Sequence, residues 1–300
     1  MTLIELIDDS AQQLTAAQVA FGHGTTNAFD EAAWLVLWRL GLPLDTALEG
    51  PDSQADRAVS SVECAQAAIL LEERIRTRKP AAYLTKEAWL QGVPFYVDER
   101  TIVPRSLIAE VLCDGSIDYW LKTETRKVLD LCTGNGSLAV LTALNFPEVQ
   151  VVASDVSADA LAVARINVEK HGLRERITLV QSDVLAAPEL QAAALFDLIV
   201  CNPPYVNANS MAHLPLEYRA EPGIALDGNQ AGGSDGMDFI RVLLPQISRY
   251  MAPDAVLLLE LGYERDHFEA AFPSLEVVWL ECSAGVDQLV LIPRTALRTA

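Results

Sequence analysis

The chain has 300 residues, 51% of them hydrophobic and 21% charged, and a formal net charge of −19. That length suits one large domain, or a large and a small one. The charge argues against a surface built to neutralise nucleic-acid phosphates and favours basic partners. Five scattered cysteines without a C-x-x-C pair and four isolated histidines point away from a disulfide framework or a zinc site. No apolar run is long enough to span a bilayer, and no Lys or Arg precedes Arg39, so the basic start of an export or organelle presequence is missing. The expectation is a metal-free cytoplasmic protein, off the membrane and without direct nucleic-acid binding.

In chain order, the first eighty residues read as helices. Leu3, Leu6, Ile7 and Leu14 fall at helical spacing; Asp30-Glu31 opens a second helix with Trp34, Leu35, Leu37 and Trp38, closed by Gly41 and Pro43; a third runs from about Val59 to Thr77. Arg74, Arg76, Arg78 and Lys79 cluster at its end, where cations suit the helix dipole. Residues Ala88 to Asp98 then read as two short strands around the turn at Gly92, and Leu107 to Leu121 as another helix.

From Lys127 the pattern alternates. Strands are expected at Val128-Leu129, Val149–Ala153, Ile177–Val180, Leu195–Cys201, Ala255–Leu261, Val277–Leu280 and Gln288–Ile292, with helices between most of them. This implies a mostly parallel sheet covered on both faces. The last two strands are too close for a helical crossover and should pair antiparallel.

The polar residues that matter follow the strands. After the first comes Asp130-Leu131-Cys132-Thr133-Gly134-Asn135-Gly136 and then a helix. A glycine-bearing turn there lets the backbone approach a ligand, although Cys132 stands where a dinucleotide fingerprint has its first glycine. Asp155 ends the second strand, where an acid can bond both ribose hydroxyls of a nucleoside, or cap the next helix. Asp183 follows the third strand and Asn202 the fourth. Open α/β sheets bind ligands at this edge.

Asn202-Pro203-Pro204-Tyr205 is the most informative of these. Neither proline offers an N–H, so the strand cannot continue its ladder. What projects is a set of acceptors, the Asn202 side-chain oxygen and stiffly held carbonyls, beside the flat face of Tyr205. Two acceptors that take both hydrogens of a planar nitrogen orient its delocalised lone pair toward an electrophile. A plain proline turn is the alternative.

The succession Asp130…Gly134-x-Gly136, Asp155, Asp183, Asn202-Pro-Pro-Tyr205 resembles the class I S-adenosylmethionine-dependent methyltransferases that modify amide or exocyclic amino nitrogens. More narrowly, the chain is similar to the protein-glutamine N5-methyltransferases, through Pro80-Ala-Ala-Tyr83, Phe95-Tyr-Val-Asp98, Ile102-Val-Pro104-Arg105 and Leu214-Pro-Leu-Glu217-Tyr218-Arg219-Ala-Glu221-Pro222. Phe21-Gly22-His23-Gly24-Thr25 and Pro104-Arg105-Ser106 look like the branch acting on ribosomal protein L3.

The resemblance implies a Rossmann-like α/β catalytic domain over 105–300, mostly parallel with its last strand antiparallel. It also implies a small helical N-terminal domain over 1–86 for substrate recognition, and a β-hairpin linker over 87–104. It implies S-adenosylmethionine held by Asp130, Thr133, Gly134, Gly136, Asp155, Asp183 and Asn202, catalysis by Asn202, Pro203 and Tyr205, and L3 as protein substrate. Methylation of release factors, methylation of DNA or RNA amino groups, and a non-catalytic assembly role are the alternatives. Two loops depart from the family pattern, a longer Asn229–Ser234 and Ser283-Ala284-Gly285-Val286-Asp287 in place of Asn-Gly-Gly-Asp-Gly.

Overall fold

The computed structural model describes residues 1–193 and 195–298, which divide into two compact units, Met1–Ala88 with Pro215–Ala220, and the remainder. The division falls within the first strand of the hairpin, two residues later than the sequence boundary. A short segment from the middle of the catalytic half groups with the N-terminal helices.

The N-terminal unit contains α1 (Leu3–Ala16), α2 (Ala28–Leu40), α3 (Ser61–Thr77) and α4 (Ala81–Thr85). Capping boxes start α1 (Thr2 with Glu5) and α3 (Ser60 with Glu63), each satisfying two otherwise unpaired amides. Gly41, at φ +68°, ends α2 as its sequence position suggests. The helices bury Leu3, Ile7, Leu14, Leu35 and Leu71 in one core. The basic cluster at the end of α3 is not a free patch. Arg74 is fully buried against Glu31 (2.8 Å) and Glu217 (3.6 Å), and Arg78 reaches Glu217 (3.1 Å) and the Ala17 and Gln18 carbonyls.

Strands β1 (Glu87–Leu90) and β2 (Val93–Tyr96) form the hairpin. The helix expected over Leu107–Leu121 is shorter: α5 covers Ile108–Cys113, then Gly115 at φ +82° breaks it and a 3-10 turn follows at Asp118–Trp120. The second unit continues with β3 (Lys127–Leu131), α6 (Ser137–Asn145), β4 (Gln150–Asp155), α7 (Ala158–Lys170), β5 (Ile177–Gln181), α8 (Pro188–Ala192), β6 (Phe196–Cys201) and α9 (Ala208–His213). After α10 (Leu216–Arg219), which lies in the N-terminal unit, come α11 (Asp238–Ile247), β7 (Met251–Glu260), α12 (Arg265–Ala271), β8 (Val278–Cys282) and β9 (Gly285–Pro293).

Among the described residues seven strands form one sheet in the order β5-β4-β3-β6-β7-β9-β8, parallel except for β9, which runs against both neighbours. The central strands are apolar on both faces, as buried parallel strands must be. Val256 and Leu258 of β7 pack with α5 and α6, while Leu257 and Leu259 pack with α11 and Phe268 of α12. From β3 the chain steps outward to β4 and later returns to β6 on the other side, so the C-terminal ends of β3, β4 and β6 flank a topological switch point. No helix of the described residues is long and apolar enough to cross a membrane, and no group of three or more His, Cys, Asp or Glu side chains among them is arranged to hold a metal ion.

Candidate active site

A cavity of about 310 Å³ opens at that switch point. Of the residues expected there, Gly134, Asp155, Asp183 and Asn202 line it. Asp130, Thr133, Gly136, Pro203 and Tyr205 do not line it; the first three brace the loop, and the last two follow Asn202 along the chain.

Asp130 is fully buried within β3 rather than at its edge, and accepts the Thr133 hydroxyl at 2.5 Å. Burial pushes its carboxyl up to about 7, against the Thr133 hydroxyl and the Ala139 amide, which favour the charged form. Thr133 is tied down further by its amide, which donates to the Ser154 carbonyl on β4 (2.9 Å). These two residues brace the loop from beneath. Gly136 starts α6 at φ +81°, and a Cβ there would stand 3.1 Å from the Ala164 Cβ. It is needed where α6 and α7 approach.

The loop above them is built from left-handed positions. Cys132 holds φ +58°, a conformation that costs a side-chain-bearing residue energy, and Gly134 holds φ +55°. A Cβ on Gly134 would meet nothing nearer than the Cys132 carbonyl at 4.0 Å, so the space beside this backbone belongs to the cavity. The Gly134 amide donates to Asp155 Oδ2 (2.9 Å) and the Ser157 amide to Oδ1 (2.9 Å). Asp155 thus fixes the loop and the start of α7 together. The carboxylate keeps acceptor capacity beyond these amide bonds. Burial raises its pKa, opposed by the amides of Ser157, Gly134 and Val156.

Asp183 and Asn202 differ from the braced groups. Among the described residues neither side chain makes a hydrogen bond within the protein, and both line the cavity. Pro203 is buried and Pro204 lines the cavity. The Tyr205 hydroxyl points to Glu260 Oε1 (3.4 Å), and burial with the neighbouring Glu260 charge raises its pKa.

Several lining residues were not among the candidate site residues, although Ile102 and Gln230 fall in stretches the sequence had singled out. Arg100, Thr101 and Ile102 come from the segment after the hairpin, where Asp98 holds Arg100 at 2.6 Å and is itself held down to about 2 by that guanidinium. Ile224, Ala225 and Gln230 come from the loop between β6 and α11. Glu221 binds Arg105 through both oxygens (2.6 and 2.7 Å) and the Val103 amide (2.8 Å), joining the Ile102-Val-Pro-Arg105 stretch to this loop. Of the two departing loops, Asn229–Ser234 contributes Gln230 to the wall. Residues 283–287 span the β8–β9 turn and the start of β9, where Ser283 bonds Glu110 and Asp287 bonds Arg265.

The charged side chains of the wall left without a cationic partner among the described residues are the carboxylates Asp155 and Asp183, beside the amides of Asn202 and Gln230 and several hydroxyls. They suit hydroxyls, amino groups and cationic centres and repel a pyrophosphate. Among the described residues Arg100 is the one cation in the wall, and it is already paired with Asp98.

Comparison with known proteins gives the same class of chemistry. Residues 117–215 match the Methyltransferase small domain. A ribosomal protein uL3 glutamine methyltransferase of Bordetella pertussis is 50% identical over 300 residues, covering 99% of this chain and 97% of its own length. One of the same name from Neisseria meningitidis serogroup B is 43% identical over 298 residues, covering 99% and 94%. Among solved structures, the hMettl16 catalytic domain in complex with MAT2A 3′UTR hairpin 1 aligns with a TM-score of 0.51 at 16% identity, covering 81% of this chain and 83% of that one; at that identity the likeness concerns the fold.

Proposed function

Because the chain belongs to the family of ribosomal protein uL3 glutamine methyltransferases, we propose that it transfers a methyl group from S-adenosylmethionine to the side-chain amide nitrogen (N5) of a glutamine in ribosomal protein uL3, the L3 of the sequence comparison, in the cytoplasm. The observation that carries this is Asn202, an amide at the C-terminal end of a central strand that lines the cavity and makes no hydrogen bond among the described residues.

The residues present fit the methyl donor. The acceptor-rich wall matches a nucleoside carrying a cationic sulfur, and the free space beside Gly134 admits it close to the backbone. Asp155 accepts the ribose hydroxyls with the acceptor sites its amide bonds leave over. Asp183 takes the adenine amino group, between the apolar walls of Val156 and Val184. Asp130, Thr133 and Gly136 act beneath, by holding the loop in shape. When bound, S-adenosylmethionine supplies an electrophilic methyl group.

Asn202 Oδ1 and the Pro203 carbonyl accept the two N–H hydrogens of the glutamine amide, which turns the nitrogen lone pair toward the cavity. Tyr205 lies along the plane of the amide. No strong base is required, since the proton is lost from the nitrogen after it has become cationic. Positioning of this kind supplies roughly 7–11 kcal/mol. The N-terminal helical unit selects the protein substrate, and the charge of −19 favours a basic one.

The test is methyl transfer from labelled S-adenosylmethionine to purified uL3 and, in parallel, to a release factor, followed by peptide mass mapping. Label on one glutamine of uL3 and none on the release factor is the expected result. Label on the release factor alone would overturn the substrate assignment, and label on neither would overturn the proposal.

A further inference from the structure

Glu260 ends β7 inside the catalytic unit and is 3% exposed. Among the described residues no cation lies within ion-pair distance of it. Arg105, whose charge is felt at Glu260, is bound by both oxygens of Glu221. A buried carboxylate without an ion pair is costly, and an apolar residue would pack there at lower cost unless the charge or its acceptors serve something.

Its hydrogen bonds divide cleanly. Oε2 accepts from the Ser106 hydroxyl (2.5 Å) and the Leu107 amide (2.9 Å), which fixes the carboxylate to the chain entering α5. Oε1 faces the Tyr205 hydroxyl (3.4 Å). Two residues on, Gly262 lies against the same tyrosine. It sits at φ +52°, and a Cβ there would be 2.6 Å from Tyr205 Cε2 and 3.1 Å from Cζ. The end of β7 therefore meets Tyr205 twice, at the hydroxyl through Glu260 and at the ring through the bare backbone of Gly262. Tyr205 is three residues beyond Asn202 on a stretch stiffened by two prolines, so the tilt of its ring is set by whatever holds it from outside that stretch.

We propose that Glu260, with Gly262, is a positioning element for methyl transfer: it fixes the Tyr205 ring beside Asn202 by holding the hydroxyl while the glycine backbone supports the ring. Glu260 touches neither substrate nor cofactor in this role and acts through Tyr205. The proposal rests on the assignment of Asn202 and Tyr205 to amide methylation.

A double-mutant cycle on the full chain tests it, with steady-state transfer to uL3 as readout and wild-type transfer measured first. Absence of wild-type transfer would overturn the functional assignment itself, which separates that failure from failure of this inference. Given wild-type activity, Glu260→Gln, whose one oxygen can still accept from Ser106 and Leu107 while its NH2 stands where the Tyr205 hydroxyl had found an acceptor, removes the Tyr205 O–H donation and lowers kcat about 5- to 20-fold with the KM for S-adenosylmethionine changed less than 2-fold, and Tyr205→Phe does the same. The double variant is no slower than the slower single, because each change breaks the same contact. Fold losses that multiply, or a loss that appears in the cofactor KM, would overturn the proposal. Should Glu260→Gln fail to fold, Ser106→Ala loosens the same carboxylate from its other side. It must then show the same dependence on the Tyr205 hydroxyl, and an equal loss in the Tyr205→Phe background would contradict the proposal.

Discussion

The two units use their polar side chains in opposite ways. In the N-terminal unit Glu31, Arg74, Glu217 and Arg78 spend their charges on one another and on backbone carbonyls. In the catalytic unit the deepest carboxylates, Asp130 and Glu260, have no ion pair among the described residues and are held by hydroxyls and backbone amides, while the side chains of exposed Asp183 and half-buried Asn202 at the cavity wall make no hydrogen bond among them. Along the chain these residues look alike, each a polar group beside an apolar run. Counting partners separates the side chains that hold the fold from those left open for a ligand.

The comparison can be broken by removing one residue of each kind. The largest stability effect belongs to Arg74→Ala, which leaves Glu31 buried without its cation. About 3–5 kcal/mol is lost, visible as early melting of the helical unit, while S-adenosylmethionine still binds; an unchanged melting curve would contradict the structural assignment. Asn202→Ala should leave the melting temperature nearly unchanged and lower kcat by about 10²–10³-fold, the range for removing one preorganised hydrogen-bonding group in an active site. Cofactor affinity measured by calorimetry should stay within a few-fold.

Asp155 belongs to both classes, since it braces the loop and faces the cavity. Asp155→Asn should therefore weaken S-adenosylmethionine binding by about 10- to 100-fold, the loss of hydrogen bonds to a charged acceptor, with a moderate fall in stability. Near-normal affinity would refute its place at the ribose. The smallest effect is one of slope. Asp130 has its folded pKa raised from 3.8 to about 7, so the folded state holds its proton over that interval and the unfolded state does not. Stability then falls as pH rises from about 4 to 7, and Asp130→Asn should flatten that part of the pH–melting curve. A parallel curve for the variant would show that Asp130 is ionised in the fold.

The alternating sheet was legible because most of its strands are short branched-apolar runs set between stretches of helical spacing. The Asn-Pro-Pro-Tyr sequence was legible because two prolines ending a buried strand serve few purposes. Less could be read where the cause lies far along the chain. Nothing local marks Glu260 as the partner of Tyr205 and Ser106, or Glu221 as the clamp on Arg105, because those contacts join residues 55 to 154 positions apart. Gly136 looked like part of a ligand loop, yet its constraint is the approach of Ala164 on the next helix. The Leu107–Leu121 pattern hid a break at Gly115 because apolar periodicity resumes after it. Pro215–Ala220 sits amid catalytic-domain sequence, and its membership of the helical unit shows in the contacts of Glu217 with Arg74 and Arg78 and of Tyr218 with His23.

The central claim is that the open acceptors at the switch point hold the methyl donor. A crystal structure with S-adenosylhomocysteine bound tests it most directly. Both ribose hydroxyls should donate to Asp155, the adenine amino group should reach Asp183, and the sulfur should face Asn202. A nucleoside bound elsewhere, or bound here with Asp155 and Asp183 untouched, would contradict the account.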